Sequence, residues 1–129
     1  MGAARDLCAR FNPYIADHLF EPAGRFNMID RRRIELCRAL LGEPRLLLLD
    51  EPSAGMTHDE TFRLMDDVTG FQRESPALSI VLIEHEMQVI ERVSQRCVVL
   101  NFGRKICEGS YRTVVADPQV RKAYLGEDA

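Results

Sequence analysis

Asp50 and Glu51 stand side by side at the end of Leu46-Leu47-Leu48-Leu49, and His85 stands just past a second apolar run, Leu78 to Ile83. Adjacent carboxylates can divide the work of hydrolysis. One associates with Mg²⁺, usually through water, and the other activates an attacking water molecule. A histidine brought to the same rim makes this a constellation of three titratable groups. Two plainer readings stay open from these residues alone: a core strand followed by a solvated acidic turn, and a structural histidine. A zinc site fits poorly, because the spacing follows no common ligand pattern and the cysteines lie elsewhere.

The elements that must position these groups are legible. Four aliphatic residues in a row predict a strand buried on both faces, as in a parallel sheet, and Pro52 stops its pairing. Leu78–Ile83 reads as a second buried strand. Cys97–Leu100 reads as a third, and Lys105–Glu108 returns from the turn Asn101-Phe102-Gly103-Arg104 as a hairpin. Thr57 and Glu60 form a capping box that opens a helix carrying Phe62, Met65, Val68 and Phe71 inward, with Gly70 and the polar run 72–76 ending it. A further helix places Met87, Ile90 and Val93 on one face. Ser110 caps a short helix through Val115. Asp117-Pro118 opens the last one, which ends at Leu125-Gly126 before a tail, Glu127-Asp128-Ala129.

Upstream, a helix starts near Asn27 or Asp30, sets Ile34, Cys37, Leu40 and Leu41 on one face, and stops at Gly42. Two short helices, Ala4 to Phe11 and Tyr14 to Phe20, are expected to stop before Pro13 and Pro22. His18 is expected to have no chemical role. The alternation of strands and helices after residue 45 predicts right-handed βαβ crossovers and a mostly parallel α/β sheet flanked by helices. Functional groups in such sheets gather at the carboxyl ends of strands. Asp50, Glu51 and His85 converge there if their strands are parallel neighbours.

Length and charge narrow the classes. The 129 residues suit one domain, and 46% hydrophobic with 29% charged residues is the make-up of an ordinary soluble globular protein. A net charge of −3 argues against a general nucleic-acid footprint. The run Arg31-Arg32-Arg33 reads as a solvated helix face. No apolar run reaches the length of a membrane-spanning helix, and Met1 to Arg5 lacks the apolar core of a signal peptide. Cys8, Cys37, Cys97 and Cys107 are widely spaced in apolar segments, which predicts reduced, buried thiols.

Residues 46–56 resemble the Walker B motif and D-loop of an ATP-binding-cassette (ABC) ATPase, a P-loop NTPase. Leu82-Ile83-Glu84-His85-Glu86-Met87 resembles its histidine switch, and Arg31 to Leu40 the helix after its signature motif. Gly55-Met56, the Val98–Ile106 hairpin and the ending Asp117–Gly126 are similar to ATP-binding subunits of branched-chain amino acid uptake transporters. The resemblance implies a single domain over residues 1–129. Residues 1–44 would belong to the helical and signature region, and 45–129 would carry the Walker B, the histidine switch and the C-terminal part of the nucleotide-binding domain. It implies Asp50 as the Mg²⁺-associated acid, Glu51 as general base, His85 as a γ-phosphate contact, and a D-loop through Gly55 that communicates across a pair of cassettes. ATP and Mg²⁺ would serve the complete protein. The partners would be a second cassette and transmembrane permease subunits, with no nucleic acid. The location would be cytoplasmic, on the inner face of the plasma membrane. The activity implied is ATP hydrolysis driving import of branched-chain amino acids or similar small solutes. A non-catalytic interaction or scaffold domain derived from such an ATPase is the alternative. A chromosome-maintenance or repair ATPase head would need flanking coiled-coil heptads, which the sequence lacks.

Two departures qualify the resemblance. No G-x-x-x-x-G-K-[ST] phosphate loop (Walker A) occurs in the 129 residues, and the family's aromatic contact and glutamine loop are also unmatched. The chain thus resembles the C-terminal half of a cassette, expected to bind ATP weakly or not at all by itself. The signature is degenerate: Phe26-Asn27-Met28-Ile29-Asp30 stands where the family has Leu-Ser-Gly-Gly-Gln. Asn27 can cap and donate, while Ile29 replaces a glycine. Asp30 favours the helix N-terminus by roughly 0.3–1 kcal/mol and is expected to compete with a phosphate there. In the fold implied, the Walker A strand lies between the strands ending at His85 and starting at Cys97. Without it the sheet is expected to close up, or to be completed by a neighbour in a strand-exchanged or edge-paired oligomer.

Overall fold

Helix α3 (Met28–Leu40) begins where the sequence places a cap: the Asn27 side chain accepts from the Asp30 amide at 2.9 Å. In this computed structural model, residues 2–126 are described; the expected tail, Glu127-Asp128-Ala129, lies outside the described residues. They group into two compact units, one up to His85 and one from Glu86 onward.

The first unit holds α1 (Gly2–Phe11), α2 (Pro13–Asp17), a 3₁₀ turn (Ala23–Arg25), α3, β1 (Leu46–Asp50), α4 (His58–Glu74) and β2 (Ser79–Ile83). Pro13 starts α2 instead of merely stopping a helix. Proline suits the first helical position, and Asn12 caps it by accepting from Tyr14 N at 3.0 Å. That helix therefore ends at Asp17, short of the expected Phe20. The buried face of α3 is rotated from expectation: Ile29, Leu36, Cys37 and Leu40 are inside, while Leu41 is exposed. The chain leaves α3 through Glu43, in left-handed conformation (φ 48°), and not through Gly42.

The capping box opens α4 as predicted, with Glu60 N donating to Thr57 Oγ1 at 3.3 Å and Thr57 N to Glu60 Oε2 at 2.9 Å. Its buried residues are Thr61, Leu64, Met65 and Val68; Phe62 and Phe71 sit at the margins. Gly70 does not end the helix, which runs on to Glu74. A helix interior tolerates one glycine at about 1 kcal/mol, and Phe11 stacks on Phe71 beside it at 5.9 Å between ring centroids.

β1 and β2 pair in parallel, Leu46 with Ser79 through Asp50 with Ile83. The α4 crossover between them supplies the expected βαβ unit. Burial of both strand faces is not found. Leu47 is buried, but Leu46, Leu48, Val81 and Ile83 are 50–68% exposed, all on the opposite face. Side chains alternate along a strand, and the described elements of this unit cover one side only.

The second unit holds α5 (Met87–Val93), β3 (Cys97–Asn101), β4 (Arg104–Gly109), α6 (Tyr111–Ala116) and α7 (Pro118–Val120), which continues as a π-helical turn, Arg121–Leu125, to Gly126. β3 and β4 form an antiparallel hairpin. Phe102 (φ 46°) and Gly103 (φ 75°) both take the left-handed conformation that a two-residue hairpin turn with right-handed strand twist requires. Ser110 caps α6, and Asp117 caps α7 by accepting from Gln119 N at 2.8 Å. Val89, Val114 and Val120 are fully buried. Among the described residues β2 pairs with β1 and β3 pairs with β4. All four cysteines are reduced, and Cys107 is the one that is only partly buried.

Candidate functional site

The parallel pairing of β1 with β2 decides which side chains meet. Asp50 lies opposite Ile83, and the ladder extends one residue further, Glu51 N donating to Ile83 O at 2.9 Å. At Glu51 the chain turns sharply: its φ is 43°, a left-handed conformation that costs a non-glycine residue about 1–2 kcal/mol. Such outliers persist where surrounding structure holds them. The turn sends the Glu51 side chain towards His85, Oε1 to Nδ1 being 3.5 Å, with both side chains more than half exposed. Asp50 keeps the strand's alternation and emerges on the uncovered face with Leu46 and Leu48. Its carboxylate is exposed and has no polar partner among the described residues.

A turn follows in which Ala54 N donates to Glu51 O and Met56 N to Ser53 O, each at 3.0 Å. Gly55, at φ 79°, supplies the left-handed residue that this second turn demands. The turn is fastened on two sides. Ser53, only 4% exposed, donates to Glu84 Oε1 from its hydroxyl at 2.6 Å and from its amide at 3.3 Å. Arg32 Nη2, from α3, reaches Ala54 O at 3.4 Å. Neither Glu84 nor Arg32 stood out as a site residue in the sequence. For Glu84 a signal exists: strand periodicity places it on the covered side with Ile80 and Leu82.

The degenerate signature is differently disposed. Ile29 and Asp30 are buried, and of the three residues assigned there only Asn27 is exposed. Asp30, expected to compete with a phosphate at the helix N-terminus, already has two partners. Its Oδ1 accepts from Asn12 Nδ2 at 2.9 Å and from Arg33 Nη1 at 3.0 Å, while Arg33 Nε donates to Asp67 Oδ2 at 2.8 Å. Burial opposes the Arg33 charge, but hydrogen bonds and attraction from Asp67 and Asp30 outweigh it and push the guanidinium pKa up. Burial pushes the Asp67 carboxyl up against the pull of Arg33. The Asp30 charge is spent on tying α3 to Asn12 and, through Arg33, to α4.

A hard cation such as Mg²⁺ is bound by one or two carboxylates together with water and substrate phosphates. The free Asp50 carboxylate beside Glu51 fits that demand, and among the described residues no cluster of three ligating side chains offers a self-sufficient metal cage.

Comparison with known proteins bears on the family and the fold. A solved ATP-binding cassette of an ABC transporter, in its ADP conformation, superposes with a TM-score of 0.81 at 24% identity, over 98% of this chain and 50% of that one. The family description "Branched-chain amino acid ATP-binding cassette transporter" matches residues 104–129. In sequence and fold, this chain is similar to the C-terminal half of an ATP-binding cassette. The high-affinity branched-chain amino acid transport ATP-binding protein LivG of Escherichia coli (strain K12) is 34% identical over 113 residues, 88% of this chain and 44% of LivG. Its counterpart BraF of Pseudomonas aeruginosa is 36% identical over 105 residues, 81% of this chain and 41% of BraF. The chain thus spans less than half the length of these relatives. Among its described residues no helix is long and apolar enough to cross a membrane.

Proposed function

We propose that this chain supplies the hydrolytic half of a cassette in which ATP hydrolysis drives import of branched-chain amino acids or similar small solutes. The observation that carries the reading is the meeting of Glu51 and His85 at 3.5 Å on the rim where β1 and β2 end, with Asp50 unpartnered beside them. Asp50 would hold Mg²⁺, which would supply neutralisation of phosphate charge. Glu51 takes the proton of the attacking water, and His85 orients Glu51 and donates towards the terminal phosphate. Gly55 and its turn face a second cassette. Permease subunits anchor the assembly at the inner face of the membrane, and the relatives' names support branched-chain amino acids as cargo.

The phosphate-binding half is contributed by residues other than these 129. The uncovered apolar face suits it: Leu46, Leu48, Val81 and Ile83 form a continuous strip leading to Asp50. A segment covering that strip, or the free edge of β2, would deliver phosphates beside the carboxylate. In its absence a second copy occupies the edge, giving an edge-paired or strand-exchanged oligomer. The strip also supports the second reading, a non-catalytic interaction domain.

The test is a Mg-ATP titration of this chain alone, then with a polypeptide that carries the phosphate-loop half of a LivG-type cassette. No saturable binding alone, and hydrolysis on mixing that Glu51→Gln and His85→Ala abolish, is expected. Micromolar binding by the chain alone overturns the half-cassette reading. Complex formation with no hydrolysis favours the interaction domain.

A further inference from the structure

Glu84 is an unusual residue to find where it is. It follows β2 directly and precedes His85, yet its carboxylate turns towards the covered side. One oxygen accepts two hydrogen bonds from Ser53, and the other, Oε2, is buried with no partner among the described residues. A part-buried carboxylate with one oxygen shut off from water and unpaired is a poor stabiliser, since removing charge from water is costly. A serine–aliphatic pair would hold the fold at lower cost. What the carboxylate achieves is geometric: it joins the residue before His85 to the second residue after Glu51.

Its position matters because Glu51 is strained. The left-handed conformation of Glu51 must be held from outside. Upstream, the Glu51 amide is fixed to Ile83 at 2.9 Å; downstream, its carbonyl is fixed by Ala54 N at 3.0 Å. Ser53 and Ala54 are the residues that Glu84 and Arg32 hold, from the strand end and from α3. We propose that Glu84 is a positioning residue: its bond to Ser53 locks the turn that keeps Glu51 bent and facing His85, with Arg32 as the second fastening. The role rests on Glu51 and His85 acting as the hydrolytic pair. Glu84 itself touches neither the water nor the phosphate.

The test reads amide hydrogen exchange in this chain, without nucleotide. Glu84→Ala is expected to speed exchange at Ser53, Ala54 and Met56 by about tenfold or more, the factor that a hydrogen bond to a charged group supplies. Thr61, whose amide bonds to Thr57 O at 2.9 Å, serves as the reference and stays unchanged. Glu84→Gln keeps an acceptor oxygen and restores protection to within about threefold. Ser53→Ala loosens the same amides, and adding Glu84→Ala to it has less effect than Glu84→Ala in the wild-type background. Exchange at the three amides unchanged in Glu84→Ala, additive effects in the double variant, or equal loosening of the Thr61 amide overturns the proposal. Because no turnover is measured, failure of the hydrolysis test removes the catalytic reading and leaves this result interpretable; unchanged exchange removes the tether alone.

Discussion

Arg33→Met is the most informative single change outside the site. It leaves the aliphatic stem but removes the guanidinium that serves Asp30 and Asp67, whose side chains are 6% and 23% exposed. Stripping one partner from a buried ion pair costs about 3–5 kcal/mol, because a charge is left uncompensated. Asp30 keeps Asn12 Nδ2 and Asp67 reaches some water, which places the expected loss near the lower bound, about 3 kcal/mol. A urea slope of about 2 kcal/mol/M converts this to a midpoint lowered by about 1.5 M with the slope unchanged. The control is Arg5→Ala, which breaks an ion pair with Asp17 exposed by more than 60% on each side; such pairs are worth about 0–1 kcal/mol. The acid limb tests the cause. The Asp67 carboxyl is already pushed up by burial, and losing Arg33 raises it further. A carboxyl raised above its unfolded value favours folding below that unfolded value, and the advantage fades as pH climbs through the folded one. The Arg33→Met deficit should therefore shrink between pH 7 and pH 4, approaching the ordinary Asp value of 3.8. Unfolding followed by far-UV circular dichroism at both pH values decides it. A midpoint shift no larger than that of Arg5→Ala, or a deficit that deepens on acidification, refutes the argument.

Three further outcomes are expected. Burial, and then the neighbouring Cys8 thiol, pushes the Cys37 thiol up to about 12 from 9.0; mass-spectrometric mapping of iodoacetamide labelling at pH 8 should find Cys107 modified first and Cys37 last, and labelling in the reverse order contradicts the burial. The same shift makes stability fall as pH rises from about 9 to about 12, and Cys37→Ala should flatten that limb of the urea midpoint. Glu43 and Glu51 both sit in the left-handed region, so Glu43→Gly and Glu51→Gly should each raise stability by about 1 kcal/mol. Only Glu51→Gly should abolish hydrolysis in the completed cassette; a fall in urea midpoint for both removes the case for strain.

The site was more legible in the sequence than its supports. Asp50, Glu51 and His85 follow apolar runs, so strand ends could be placed without coordinates. Asn27, the capping box at Thr57 and the cap at Asp117 likewise depend on bonds that span only two or three residues. The α3 face, by contrast, turned out to be set by neighbours: Leu41 was expected inside and is 45% exposed, while Asp30, expected to compete with a phosphate, is 4% exposed. Arg33 looked like part of a solvated basic run, and its meeting with Asp67, 34 residues away, has no local signature.

The sequence by itself determined the order of elements, the caps, the two carboxylates and the histidine, because hydrophobic period and capping chemistry act over one or two turns of chain. Tertiary structure decided the rest. Parallel pairing of β1 with β2 brought Glu51 to 3.5 Å from His85. Packing of α3 against its neighbours turned the Asp30 charge inward and spent it on Arg33 and Asn12. The bend at Glu51, held by Ser53, Glu84 and Arg32, depends on bonds across 22 and 31 residues. Local rules do not reach that far: a left-handed glutamate is unfavourable in the isolated chain and exists because the surrounding fold makes every alternative worse.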